Sequence, residues 1–258
     1  MSYANGPRIV TDGLVCCLDA ANRKCIQPTS DTAIDLTGNG FNPVFRNSSG
    51  TQTNLGSMET NLRYDTSDAP AACLNFVGYG NNTQGYMEWN NHPLGGHYQY
   101  TIDAWFKITR ENPITNYNVI FYSSHGTNQS FQSLGFMAQN TTSDKDVALE
   151  LNNAYTGGSS NYRLTLGWHH CVLTYAGSSA LVYVDNDLKY TKGGLTSNYT
   201  IPTSNWNWIG VGQWANGSYN GAYGYTEGKL GAISFYSKQL SSNEVKQNYN
   251  ALKGRFGL

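Results

Sequence analysis

The chain has 258 residues, with 16 Lys and Arg against 17 Asp and Glu and a formal net charge of −1. Charged residues make up 13% and aromatics 13%, including 19 Tyr and 6 Trp, beside 28 Gly. So few charges exclude a coiled coil, so many aromatics exclude a disordered chain, and the lack of a basic block speaks against a nucleic-acid partner.

No apolar run approaches the roughly 18 residues of a membrane span, so no membrane insertion is expected. The opening MSYANGPRIVTDG has no apolar core of a leader, so no secretory signal is expected. All-β sandwiches of about 200–250 residues are often one domain, and no linker divides this chain, so residues 1–258 read as one domain. Cys16, Cys17, Cys25, Cys73 and Cys171 are odd in number and include no Cys-x-x-Cys, which favours free thiols over a disulfide framework.

Short strands with turn chemistry between them fill most of the chain. Gly13–Leu18 is a first strand, and Asp35-Leu36-Thr37-Gly38-Asn39-Gly40 is a turn cluster leading to an edge strand near Phe41–Phe45. Residues 47–70 read as a long polar loop with at most one weak strand. Cys73–Val77 is a strand, with Tyr86–Trp89 as its return partner. Tyr100–Ile108 alternates, placing Ile102, Ala104, Phe106 and Ile108 on a core face and Thr101, Asp103, Trp105 and Lys107 on a wet one. Strands follow at Val119–Tyr122, Leu134–Ala138, Val147–Leu151 and Tyr162–Leu166. His169–Tyr175 and Ala180–Val184 form a hairpin, Asp185-Asn186-Asp187 a second tight turn, and Leu188–Thr191 a third strand. Trp206–Val211 and Gly228–Tyr236 complete roughly a dozen strands, the pattern of an all-β sandwich or barrel. A single helix closes the chain. Ser241 and Glu244 form its capping box, Val245, Tyr249 and Leu252 its apolar stripe, and Gly254 its C-terminal stop; it should lie across one edge of the sandwich.

The order GLVCCLDAAN, DLTGNG, CLNFVGYGN, YTIDAWFKIT, GWHHCVLTYAG, LVYVDN and GKLGAISFYSKQLSSNEVKQNYNALKGRFGL resembles the laminin G-like, concanavalin A-like jelly-roll superfamily over nearly the whole chain. The resemblance implies a two-sheet antiparallel jelly-roll sandwich with one short C-terminal helix. The closing segment is similar to versions in virion structural proteins of large tailed bacteriophages. That implies a non-catalytic virion protein of capsid or tail, made in the host cytoplasm and displayed on the virion surface. Its partners would be other virion proteins, copies of itself, or cell-surface polysaccharide. A stand-alone carbohydrate-binding lectin or adhesin is the alternative, and a polysaccharide hydrolase or lyase a more distant one.

Glucanases of this fold carry two carboxylates about 5–5.5 Å apart, typically from Glu-x-Asp-x-x-Glu on one strand face. No such run occurs; Glu150 stands alone, and no enzyme activity is expected. His169 and His170 point to opposite strand faces and cannot share a metal. Calcium needs six to eight hard oxygens. Asp185-Asn186-Asp187 and the Asp35/Asn39 turn are the two candidates, though both are also turn chemistry. Many superfamily members carry an acidic residue after the Gly of the penultimate strand and Asp-Gly after the Phe of the second motif. Here Gly231 precedes Ala232 and Phe76 precedes Val77-Gly78, so no metal is assigned. The expected contact residues for a glycan or protein partner are Asp103 and Trp105 on the wet face, and Trp214, Tyr219, Tyr223 and Tyr225 in the loop Gln213–Glu227. Packing of these loop rings on the sandwich itself is the third reading.

Overall fold

The computed structural model of the protein describes residues 8–47, 49–58, 62–68, 72–77, 85–109, 117–123, 134–139, 147–151, 154–155, 164–194, 204–209, 211–212 and 224–258. In chain order the strands are β1 (Leu14–Asp19), β2 (Val44–Arg46), β3 (Leu62–Asp65), β4 (Cys73–Phe76), β5 (Tyr86–Asn91), β6 (Gln99–Ile108), β7 (Tyr117–Ser123), β8 (Leu134–Gln139) and β9 (Val147–Leu151). They continue with β10 (Ala154–Tyr155), β11 (Gly167–Ala176), β12 (Ser179–Val184), β13 (Asp187–Lys192), β14 (Ser204–Ile209), β15 (Val211–Gly212), β16 (Gly224–Tyr225) and β17 (Gly228–Tyr236). Helix α1 (Ser242–Phe256) follows.

One sheet runs β13-β12-β11-β6-β17-β4-β3, and β1 joins it on β17; the other runs β10-β9-β8-β7-β14-β5-β2, with β15 and β16 as a separate pair. Among the described residues all pairings are antiparallel, and the architecture is the expected two-sheet jelly-roll sandwich. β4 pairs with Gly228–Leu230 and β1 with Ala232–Tyr236, so the two take turns along one edge of β17. The changeover is Gly231, where the register with β6 also slips.

The alternation along β6 and β11 turns Ile102, Ala104, Phe106, Cys171, Leu173 and Tyr175 inward, against Phe45, Met87, Trp89, Phe121 and Ile209 of the facing sheet. Trp89 meets Phe235 edge-on at 5.6 Å and so ties the sheets together. The β11–β12–β13 meander forms as expected, with Asp185 and Asn186 at φ 51° and 72° in its second turn.

Three expectations change. Tyr86–Trp89 is not the return partner of Cys73–Val77: β5 lies in the opposite sheet between β14 and β2, whereas β4 pairs with β17 and β3. Leu164–Leu166, the described part of the expected strand Tyr162–Leu166, is not strand. The helix does not stop at Gly254. It runs on to Phe256 and ends at Gly257 (φ 78°), whose N–H reaches Lys253 O. Its start is as read: Ser241 Oγ takes the Glu244 N–H, and Glu244 Oε2 takes the Ser241 N–H at 2.8 Å.

Candidate functional site

Most outward residues of β6 are not wet, though Lys107 stays partly exposed. Thr101, Asp103 and Trp105 are buried, because α1 lies across this face of the sheet rather than along its edge. Trp105 is sandwiched in rings: Phe256 at 4.5 Å, His170 at 4.8 Å and Tyr249 at 5.9 Å. Asp103 Oδ1 sits 3.0 Å from His170 Nε2, and its Oδ2 takes a hydrogen bond from Asn248 Nδ2 at 2.8 Å. Asn248 also donates to the Tyr236 hydroxyl and accepts the Val10 N–H at 2.7 Å, tying helix, sheet and N-terminal segment together. Asp103 and Trp105 therefore serve the fold here and present no contact surface. Asn248 escaped the sequence reading because its type reads as surface; its place beside the Val245 stripe was the available signal.

Both calcium candidates spend their carboxylates on the chain. Asp35 is buried; its Oδ1 takes the Cys17 and Thr37 N–H groups and its Oδ2 the Thr37 hydroxyl. Asp185 Oδ1 takes the His170 N–H at 2.9 Å, and its Oδ2 lies 2.7 Å from His169 Nδ1. Among the described residues no group of three or more His, Cys, Asp or Glu is placed to hold a metal.

Two carboxylates do come close, on the β3 side of the sheet. Lys229 Nζ bridges Asp65 Oδ2 at 2.7 Å and Asp68 Oδ2 at 2.8 Å, and Lys107 Nζ donates to Asp68 Oδ1 at 2.7 Å. Burial pushes the Asp65 carboxyl up, but hydrogen bonds from Lys229 and Ser67 outweigh it and bring it down to about 2. Asp68 is lowered on the same balance, by Lys107 and Lys229. A glycosidase acid needs the opposite, a carboxyl raised toward neutrality.

Of the expected loop contacts, Trp214, Tyr219 and Tyr223 lie outside the described residues. Tyr225 stands on β16, opposite Val211 of β15, with Gly224 opposite Gly212. The described residues on either side of 213–223 thus form an antiparallel pair. Beside α1 the outer face also holds a cavity of about 600 Å³, between Ile9, Leu36 and Leu252, floored by Cys17, Asp19 and Ser234. Cys17 gives it no nucleophile: burial pushes that thiol up to about 11.

A two-sheet sandwich of this topology, with one helix on the outer face of a sheet, defines a lectin-type jelly roll. A family profile of the concanavalin A-like lectin/glucanases superfamily matches residues 81–246, and the chain belongs to that superfamily. Among solved structures it is similar to domain 4 of AbnA, a GH43 extracellular arabinanase from Geobacillus stearothermophilus, in complex with arabinotriose. That match has a TM-score of 0.64 at 14% identity and covers 92% of this chain and 98% of that domain. Trypanosoma rangeli sialidase in complex with sialic acid matches at TM-score 0.62 and 17% identity, covering 95% of this chain and 34% of its own. The binding domain of botulinum neurotoxin DC, in complex with rat synaptotagmin II, matches at 0.55 and 13%, covering 93% and 52%. The chain therefore spans about a third of the sialidase and half of the toxin domain. No curated protein sequence matches it.

Proposed function

We propose that this protein is a non-catalytic structural component of a tailed-bacteriophage virion, on capsid or tail, whose sandwich contacts a host-surface glycan or neighbouring virion proteins. The observation that carries the contact role is the run 213–223, rich in aromatics, Asn and Gly in sequence, whose flanking residues form the β15–β16 pair. Tyr and Trp give large contact area at low entropic cost, and long loops on a rigid sandwich suit recognition. The closing segment ISFYSKQLSSNEVKQNYNALKGRFGL, similar to those of phage virion proteins, supports the virion assignment. The lowered Asp65 and Asp68 support the non-catalytic reading.

The arabinanase domain was seen with arabinotriose and the sialidase with sialic acid, so both sugars belong among the first glycans tried. The toxin domain holds a protein, which keeps the virion-protein partner in view. The test is Trp214→Ala/Tyr223→Ala. Truncating an interface anchor costs on the order of 2 kcal/mol, so particle incorporation or glycan binding should weaken by 10-fold or more. The melting temperature should stay within a few degrees. A collapsed melting temperature with unchanged binding per folded molecule overturns the contact role. Imaging of purified particles that finds no copy on their surface overturns the virion role.

A further inference from the structure

We propose that His169 is held as an imidazolium at neutral pH and acts as a charge-dependent clamp between the segment entering β11 and the β12–β13 turn. His169 is buried on β11, and both its ring nitrogens are occupied. Nδ1 lies 2.7 Å from Asp185 Oδ2, and Nε2 lies 2.9 Å from the Thr165 carbonyl oxygen. A carboxylate and a carbonyl only accept, so a ring making both bonds carries a hydrogen on each nitrogen, and that is the cation. Asp185 is itself fixed: its Oδ1 takes the His170 N–H, its N–H reaches His170 O at 2.9 Å, and it sits at φ 51° in the tight turn.

The same surroundings offer a neutral alternative. The Thr165 hydroxyl is 3.4 Å from Nε2, long for a hydrogen bond while the ring faces the carbonyl. Once Nε2 loses its hydrogen it becomes an acceptor, is repelled by the Thr165 carbonyl, and has that hydroxyl as its donor. Deprotonation thus exchanges one Thr165 contact for another and shifts residues 164–166. Along its own strand face His169 is followed by Cys171, whose thiol burial holds far above neutrality, and its register partner on β6 is Phe106, which does not titrate. From the β12–β13 turn it faces Asp185; the neighbouring Asp187 is exposed and paired with Lys189. Burial pulls the His169 pKa down, but Asp185 and the Thr165 carbonyl outweigh it and leave it raised. The clamp is therefore intact below the ordinary value of 6.5 and is released as pH rises through the raised one.

Nitrogen-15 spectra of the His169 ring across pH 6 to 10 test this on the intact chain. At pH 7 both nitrogens should show the protonated shift. The midpoint should lie above 6.5 and be shared by the backbone amides of residues 164–166. Asp185→Asn should move the midpoint below that of the parent, whereas Thr165→Val, which removes only the neutral-state donor, should move it up. A single neutral tautomer at pH 7, a midpoint at or below 6.5, or amides of 164–166 that ignore the titration overturns the clamp.

Discussion

A β-carbon on Gly231 would meet the Phe256 ring at 2.4 Å and Trp168 at 3.2 Å. The backbone there is pinned by the Ala20 N–H on Gly231 O at 2.9 Å, so the ring, and with it the last turn of α1, must give way. Overpacking of this kind costs roughly 1–3 kcal/mol. Gly231→Ala should lower the urea midpoint accordingly, and adding Phe256→Leu should recover part of the loss; an unaltered midpoint would mean the helix does not press on β17. The thiols are a second case decided atom by atom. All five cysteines are free and buried. Burial holds the Cys25 and Cys73 thiols near 12 and Cys16 and Cys171 well above their ordinary value, so they are poor nucleophiles at neutral pH. Alkylation should leave the folded protein unmodified and add five groups after unfolding without reductant; any shortfall in the unfolded mass would reveal a disulfide.

At the scale of elements, what was legible in the sequence was what local rules decide. The Ser241–Glu244 box fixes the helix start within one turn, and Ser241→Ala should cost about 1 kcal/mol in a thermal melt. The alternation of β6 was legible for the same reason: period two sorts side chains by face whatever the tertiary context. What lies over the polar face is a long-range fact. Asp103 and Thr101 read as wet because their types usually are, yet Asn248 satisfies one and the Lys238 carbonyl and Leu240 N–H satisfy the other. The helix end went the same way. Gly254 and Gly257 both offer a stop, and burying Phe256 against Trp105 and Trp168 selects the later one. β5 was misplaced because strands adjacent in sequence usually pair, and here the chain crosses to the other sheet after β4. Aromatic composition marked Gln213–Glu227 as a contact candidate, but composition carries no coordinates, and it marked Trp105 equally. Asn248→Ala separates these levels. It raises helix propensity while stranding the Val10 N–H and one Asp103 oxygen, so a net loss, of about 1–3 kcal/mol before that gain, would come from the tertiary network alone.

For the molecule as a whole, the acid limb of stability should trace largely to one core histidine. His92 is fully buried between the sheets, edge-on to Phe121 at 5.0 Å and Phe235 at 6.4 Å. Its Nδ1 accepts the Leu94 N–H at 2.7 Å, which leaves no room for a second proton there. Burial, with a smaller push from His97, brings its pKa down to about 3. The folded state therefore keeps His92 neutral while the unfolded chain takes up a proton near 6.5. Stability is intact above that value and falls as pH drops toward 3, by at most about 1.4 kcal/mol per pH unit. Asp65, lowered from 3.8 to about 2, adds its own loss only at the acid end of that window. His169 is raised, so its contribution is complete below 6.5 and does not shape the acid limb. Melting temperatures taken from pH 7 to 4 should fall steadily in the parent. In His92→Asn, whose side-chain oxygen can still take the Leu94 N–H, the protein should start lower at pH 7, from the volume lost between the rings, and then decline with a shallower slope. An equally steep decline in the variant would place the acid sensitivity elsewhere and contradict a neutral histidine at the centre of the sandwich.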